Sequence, residues 1–377
     1  GAGTMPEMRN GPAGRDDRGQ GMISWDVAGR VAAAVIRRHP APAPYELSAM
    51  AADFQELTAT AEELVEAETG LRSLAGPARA RLTDRGGWVE ANLASFDRLL
   101  RPLTDKVASV AASRSLSLPP ALGRQVSGVQ VGLLLGWLSG RVLGQYDQLL
   151  IEDERPDEQD IVYYVGPNVA DLERRYGFPP REFRLWLALH EVTHRAQFTA
   201  VPWMRAHFLS LVERTMDGFD PDPRHLLDAL KRSAADARAG RNPLADGGFM
   251  AVLATPEQLD TIREVSGLMS LLEGHGDVTM DRAGAGRIPN AATFSRVLHE
   301  RRRTRGFSRA VSVAIGLDAK MRQYEQGERF IRAVERAGGR DLFGRVWEGP
   351  EWLPSWAEIV DPARWVARTA GRAPLVG

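Results

Sequence analysis

The spacing of hydrophobic residues predicts a chain built mostly of helices. Between Ser24 and the proline cluster that begins at Pro40, apolar residues recur every three or four positions, which is the period of an amphipathic helix. The last periodic segment is expected to end at Gly338 and Gly339, because paired glycines interrupt a helix. The same period predicts helices at about 46–68, 88–100, 103–112, 180–198, 203–216, 224–238, 256–276, 290–303 and 308–337.

One segment has the composition of a buried strand. Residues 161–165 form the run Ile-Val-Tyr-Tyr-Val, which is β-branched and aromatic, and the turn-forming sequence Gly166-Pro167-Asn168 follows it. A single clear strand among so many helical segments favours a mainly α fold, that is, an α+β fold with a small sheet.

Glycines recur at every fourth position of the segment 126–150. In a helix this spacing leaves one face without side chains. Each glycine costs a helix about 1 kcal/mol, so we expect another helix to approach that face closely. We interpret the stripe as a packing device, with the helix at 180–198 or its neighbour as the expected partner. The glycines are Gly128, Gly132, Gly136, Gly140 and Gly144.

Composition and charge limit the class of protein. Apolar residues make up 44% of the 377 residues and the net charge is −1, so the chain can form a core and has no global field that attracts nucleic acid or a membrane. The prediction is a disordered tail over 1–21 and one helix-rich domain over 22–377, with an N-terminal helical part (22–125) and a second part (126–377). No apolar run suits a signal peptide or a membrane span, so we expect a cytoplasmic protein.

The predicted helix at 180–198 contains the motif His190-Glu191-Val192-Thr193-His194. Histidines four residues apart lie on one helix face, so both imidazoles can reach a single Zn²⁺. Glu191 then falls beside the open position of the metal, where it can accept a proton from water. The chain has only seven histidines, and a chance match is expected roughly once in a hundred such chains.

A catalytic zinc needs a third protein ligand, and the chain contains no cysteine. The best candidate is Glu273, in the segment Leu271-Leu272-Glu273-Gly274-His275-Gly276-Asp277. Glu273 and Asp277 are four residues apart and share a helix face. This spacing suits a carboxylate ligand followed by an acid that orients the ligating His190.

His275 is the rival for the third ligand. It lies about 200° from Glu273 around an ideal helix, so both bind one ion only if the helix breaks at Gly274 or Gly276. His275 is also a candidate for catalysis as the donor that stabilises an oxyanion, and its alternatives for that role are Tyr146, Tyr163 and Tyr164. A polar helix end without any metal role is the competing interpretation of this segment.

The ligand types favour a catalytic zinc over a structural one. Structural zinc sites usually have four protein ligands and often use cysteine, and Glu191 would have no task in such a site. The predicted function is therefore zinc-dependent hydrolysis, most naturally of a peptide or protein. The alternative is a binding or scaffold protein that is stabilised by the metal without turnover.

Three separated blocks carry a resemblance to a known family. They are LALHEVTHRAQF, SLLEGHGDVTMD and MRQYEQGERF…VWEGPEWLPSWAEIVDPARWVAR, and with shorter N-terminal segments they extend from about Ser24 to Arg368. The chain resembles the type 2 zincin-like metallopeptidases, also called the DUF2342 hydrolases. The resemblance implies a zincin-like fold and maps the motif onto His190, Glu191 and His194. One branch of the family is labelled as associated with coenzyme F420 biosynthesis, which adds an accessory role there as a third hypothesis.

Overall fold

The computed structural model describes residues 23–37, 44–97, 120–146, 160–217, 256–303 and 317–370. Helices dominate this part of the chain and one small sheet accompanies them, which confirms the predicted fold class. The predicted tail over 1–21 and the predicted helices at 103–112 and 224–238 lie outside the described residues. No described helix is both long enough and apolar enough to cross a bilayer.

Most described helices are close to the predicted segments, but those at 166–176, 356–360 and 362–370 were not predicted, and the first of them begins at the predicted turn Gly166-Pro167-Asn168. In chain order the helices are α1 (Trp25–Ile36), α2 (Pro44–Thr69), α3 (described over 85–97), α4 (Pro120–Ser139), α5 (Gly166–Tyr176), α6 (Pro180–Thr199), α7 (Met204–Asp217), α8 (Pro256–Ala283), α9 (Ala291–Arg303), α10 (Leu317–Gly344), α11 (Trp356–Val360) and α12 (Pro362–Ala370). Two 3₁₀ turns, Arg345–Trp347 and Pro350–Trp352, follow α10. The predicted break is present inside α10, because Gly338 and Gly339 have non-helical dihedral angles.

The sheet has three strands in the order β1-β3-β2: β1 (Arg79–Thr83), β2 (Gly144–Tyr146) and β3 (Ile161–Val165). The predicted strand is β3, which is buried throughout and pairs in parallel with β1 and antiparallel with β2. The sequence pattern missed β1 and β2. β1 alternates polar and apolar residues over only five positions and contains a single β-branched residue, Thr83, and β2 has only three residues, so neither has the β-branched and aromatic composition by which a strand is recognised.

The part of the glycine stripe that lies in α4 packs against α1 and not, as expected, against the helix at 180–198, which Gly144 contacts from β2. A Cβ at Gly132 would lie 2.4 Å from the carbonyl oxygen of Ala28. α1 is suited to this contact because Ala28 and Ala32, both buried, face the stripe. The stripe is also shorter than predicted, since α4 ends at Ser139 and Gly144 belongs to β2.

The motif helix α6 lies in the centre of the largest hydrophobic cluster. It begins at Pro180, a favoured first residue of a helix, and 14 of its 20 residues are buried. Arg195 anchors it through hydrogen bonds to the carboxylate of Asp160 (2.6 Å), to Glu62 (2.5 Å) and to the carbonyl oxygen of Gly76 (2.7 Å). These charged bonds fix α6 to α2 and to the residue that precedes β3.

The helix that carries Glu273 and His275, α8, crosses α10 with a very short distance between the two backbones. A Cβ at Gly327 of α10 would lie 1.8 Å from the carbonyl oxygen of Ser270, and one at Gly274 would lie 2.4 Å from the backbone of Gly327. α8 continues unbroken from Pro256 to Ala283. The helix break that would have let His275 and Glu273 bind one ion together is therefore absent.

Candidate metal centre

The three predicted ligands lie together between α6 and α8. The Nε2 atoms of His190 and His194 are 3.2 Å apart, and Oε2 of Glu273 lies 3.8 Å from the first and 3.5 Å from the second. A tetrahedral zinc centre with bonds of about 2.0–2.1 Å has its ligand atoms about 3.3–3.4 Å apart. The spacing of the three atoms therefore fits one ion bound in common.

The donor set also fits zinc chemically. Two imidazole nitrogens and one carboxylate oxygen make the three-ligand set of a catalytic zinc, which leaves a fourth position for another group. His194 and Glu273 are buried, whereas the His190 side chain is 22% exposed. Solvent therefore reaches the three candidate ligands from the side of His190.

Glu191 is buried and lies against strand β2. Its Oε2 accepts a hydrogen bond of 3.1 Å from the backbone N–H of Tyr146. A Cβ at Gly144 would lie 2.8 Å from both Cγ and Oε1 of Glu191, so the absence of a side chain there makes room for the carboxyl group. β2 therefore determines where the carboxyl group of Glu191 lies.

Burial and neighbouring charges change the proton affinities of the site. Burial raises the pKa of Glu191 to about 7, and Glu273 adds to the rise, while His194 and the Tyr146 N–H oppose it. Burial alone would lower the pKa of His194, but the carboxylates of Glu273 and Glu191 outweigh it and raise that pKa to about 9. A carboxyl with a pKa near neutrality can both accept and return a proton at physiological pH.

Asp277 occupies the position expected for an acid that orients His190. Its Oδ1 lies 3.8 Å from Nδ1 of His190, which is longer than a direct hydrogen bond. Its side chain is 27% exposed, so it lies at the open side of the site. The orienting role of Asp277 stays a prediction.

The structure does not bring His275 into the ligand group. Its Nδ1 is 3.0 Å from Nε2 of Gln197, and its ring packs against Trp347 and Phe343 at centroid distances of 4.9 and 5.7 Å. Burial lowers the pKa of His275 to about 3. The ring therefore stays neutral and lies behind His194, away from the ligand atoms, which fits neither the rival-ligand role nor the predicted catalytic role.

The tyrosines that we considered as oxyanion donors have other surroundings. The hydroxyl of Tyr146 is 2.9 Å from the Arg205 guanidinium, and that of Tyr164 is 2.9 Å from the Thr58 hydroxyl. Tyr163 lies under the guanidinium of Arg81. Tyr146 contributes to the site through its backbone N–H rather than its side chain.

Two residues of the site were missed in the sequence. Gln197 lies three positions after His194 on the same helix face, and its Oε1 is 3.0 Å from Nδ1 of His194. Gly276 lets the histidine pair approach α8, because a Cβ there would lie 3.3 Å from Cε1 of His194 and 3.4 Å from Cε1 of His190. The helical spacing of Gln197 from His194 was a signal that could have been used.

The chain is similar to known proteins in sequence pattern and in structure. The sequence pattern of the zincin-like metallopeptidases matches residues 23–366. A protein from Chloroflexus aurantiacus, described with its crystal structure as a "putative hydrolase with a novel fold", is similar in structure with a TM-score of 0.69 and 30% sequence identity. The match covers 93% of this chain and 100% of that one. No curated protein matches the chain.

The chain belongs to the zincin-like metallopeptidase family. This confirms the family that the three sequence blocks predicted, and the helix-rich fold agrees with it. Family membership and the hydrolase-like neighbour together support a hydrolase whose candidate metal ligands are His190, His194 and Glu273.

Proposed function

We propose that the protein is a zinc-dependent peptidase in which Glu191 is the general base. The observation that supports it most is the convergence of two imidazole nitrogens and one carboxylate oxygen, with a second carboxyl group buried beside them on the same helix. His190, His194 and Glu273 would hold the ion. Bound zinc supplies Lewis-acid activation of water and of a substrate carbonyl.

Glu191 performs the proton transfers in this proposal. Its carboxylate can take a proton from the attacking water and return that proton to the leaving amine. The Tyr146 N–H occupies Oε2, so Oε1 is the oxygen assigned to the transfer. Strand β2 thereby orients the base while α6 carries it.

The edge strand supports a peptide as the substrate. Within the described residues β2 is a terminal strand of the sheet, and Glu191 contacts it at Gly144 and Tyr146. An extended peptide that adds to such an edge is held by backbone hydrogen bonds. It would pass next to Glu191 and the metal ligands, as peptide-bond hydrolysis requires.

The variant Glu191→Gln tests the proposal. The amide can still accept the Tyr146 N–H bond and fills the same volume, but it cannot accept the proton. We expect zinc content to be unchanged and hydrolysis of a peptide library to fall at least about 100-fold, the usual contribution of a general base. Zinc is measured by elemental analysis and cleavage by mass spectrometry.

Glu182→Gln is the matched control, because Glu182 lies on the same helix but binds Asn290, with its Oε2 3.0 Å from Nδ2. It should retain zinc and full activity. Equal activity of the wild type and Glu191→Gln would refute the role of Glu191 as the base. If the wild type binds zinc but cleaves no peptide, the alternative of a metal-stabilised binding protein is favoured. The observation that supports this alternative is the burial of Glu191 and His194.

A further inference from the structure

We propose that Gln197 is a positioning residue that fixes His194 for metal binding and holds together the two helices that carry the ligands. The inference rests on the proposed metal site. The Gln197 side chain is fully buried and contacts three groups: Nδ1 of His194 at 3.0 Å, the carbonyl oxygen of Leu272 at 2.9 Å and Nδ1 of His275 at 3.0 Å. Leu272 directly precedes the ligand Glu273.

The Leu272 carbonyl determines the orientation of the Gln197 amide. A carbonyl oxygen only accepts hydrogen bonds, so the Gln197 group that faces Leu272 must be the Nε2 amino group. Rotating the amide by 180° would place Oε1 against that carbonyl oxygen. The carbonyl oxygen of the Gln197 side chain therefore faces His194.

This orientation determines which nitrogen of His194 is available to the metal. Oε1 of Gln197 accepts a hydrogen bond, so Nδ1 of His194 must carry a proton and donate it. Its Nε2 is then the nitrogen that faces Nε2 of His190 and Oε2 of Glu273, at 3.2 and 3.5 Å. A hydrogen-bond acceptor that fixes the tautomer and orientation of a ligand histidine increases its affinity for the metal.

The other proton of the Gln197 amino group defines the state of His275. Because Nε2 of Gln197 donates, Nδ1 of His275 must accept, and the proton of the neutral His275 ring is on its Nε2. Phe343 and Trp347 pack against this ring. His275 therefore acts through Gln197, as a positioning residue and not as a catalytic one.

The same amide joins α6 to α8. One end of Gln197 is bonded to a ligand of α6, and the other end is bonded to the α8 backbone one residue before Glu273. A shift of either helix would break one of these bonds and leave a buried polar group without its partner, which is costly. Gln197 thus couples the orientation of His194 to the position of Glu273.

Gln197→Met tests the inference, because methionine keeps the length and volume of the side chain but provides no comparable hydrogen bonds. We expect zinc to bind about 10- to 100-fold more weakly, the usual effect of losing a residue that orients a metal ligand. The dissociation constant for Zn²⁺ is measured on the full chain by competition with a chromogenic chelator. The matched control is Thr193→Val, on the same helix and also fully buried, whose hydroxyl donates a hydrogen bond to the Leu189 carbonyl of its own helix. Its zinc affinity should stay within about threefold of the wild type.

Nitrogen-15 NMR shows which ring nitrogen of each histidine carries the proton. If Gln197 served only to pack the core, its replacement would leave these proton positions unchanged. In the zinc-loaded wild type we expect a proton on Nδ1 of His194 and, for His275, a proton on Nε2. In Gln197→Glu the oxygen that replaces Nε2 can only accept while the carboxylate is ionised, so the His275 proton should move to Nδ1. If Gln197→Met does not fold, the wild-type spectrum alone decides.

The inference is overturned if Gln197→Met binds zinc as tightly as the wild type, or if the wild type carries the His275 proton on Nδ1. It is overturned together with the metal site if the wild-type chain does not bind Zn²⁺. Zinc affinity that depends on Gln197 in a protein that cleaves no peptide would support the inference and reject the proposed peptidase activity.

Discussion

Among the described helix contacts that use glycine for close approach, two produce different results. In the first, which we call the packing contact, α4 meets α1 with Gly128, Gly132 and Gly136 against backbone atoms and valine side chains. In the second, the site contact, α8 meets α6 with Gly276 against the rings of His190 and His194. The missing side chains bring two backbones together at the packing contact. At the site contact, the missing side chain makes room for the two imidazole rings.

The comparison shows that glycine spacing by itself does not indicate a function. In the described structure the residues opposite the packing contact, Ala28, Val31 and Ala32, offer no ligand atoms, so close approach there contributes only packing. The site contact has imidazoles on one helix and a carboxylate on the other, and the same proximity allows one ion to be shared. The chemistry of the facing side chains separates the two cases.

Gly327→Ala should have the largest effect on stability and zinc affinity. It changes the contact between α10 and α8, the helix that carries Glu273. The added Cβ would lie 1.8 Å from the Ser270 carbonyl oxygen, and backbone atoms must move to relieve the overlap. We expect a loss of about 3 kcal/mol in the free energy of unfolding, at the upper end for overpacking, with weaker zinc binding because Glu273 moves with α8. Urea unfolding and chelator competition measure the two effects; an unchanged zinc affinity would show that α10 does not set the position of α8.

Gly132→Ala probes the packing contact. The new Cβ would lie 2.4 Å from the Ala28 carbonyl oxygen, so α1 must shift even though alanine favours a helix by about 1 kcal/mol. We expect the free energy of unfolding to fall by about 1–2 kcal/mol with no change in zinc affinity. A change in zinc affinity comparable to that of Gly327→Ala would mean that the two contacts are coupled, and the distinction between them would fail.

Gly276→Ala should have the smallest effect on stability but a clear one on the metal. Its Cβ would lie 3.3 Å from Cε1 of His194 and 3.4 Å from Cε1 of His190, so the rings move by a few tenths of an ångström. The gain in helix propensity, up to about 1 kcal/mol, offsets this strain. We expect unchanged stability of the metal-free protein and zinc affinity weaker by about tenfold, read by thermal melting and chelator competition. Unchanged zinc affinity would show that the rings adapt without cost.

The sequence was most informative where one helix carries the whole signal. His190 and His194 share a face because four residues make about one helical turn, and this held in α6. Glu273 was reached by chemistry and spacing on its own helix, and the structure brings it to within 4 Å of both histidines. The small strands were missed because β1 and β2 are short and contain few β-branched or aromatic residues, so their pairing with β3 is what defines them.

The sequence left open the position of His275 relative to the ligand group and predicted the wrong partner for the glycine stripe. The sequence showed that His275 points away from Glu273, but only the continuous α8 excluded a break that would have allowed both to bind. The stripe showed that some helix must approach α4 without showing which one. The missing information was the continuity of the helix in the first case and the identity of the neighbouring helix in the second.

By itself, the sequence determined the family, the candidate metal ligands with the helices that carry them, and a candidate base between the two histidines. Only the tertiary structure decided that Gln197 links His194 to α8, that β2 holds Glu191, and that His275 faces Trp347. The physical reason is that helix geometry is local and repeats every few residues, whereas the contact of Gln197 with His275 joins positions 78 residues apart. Contacts at that separation depend on how whole helices pack, which no local pattern records.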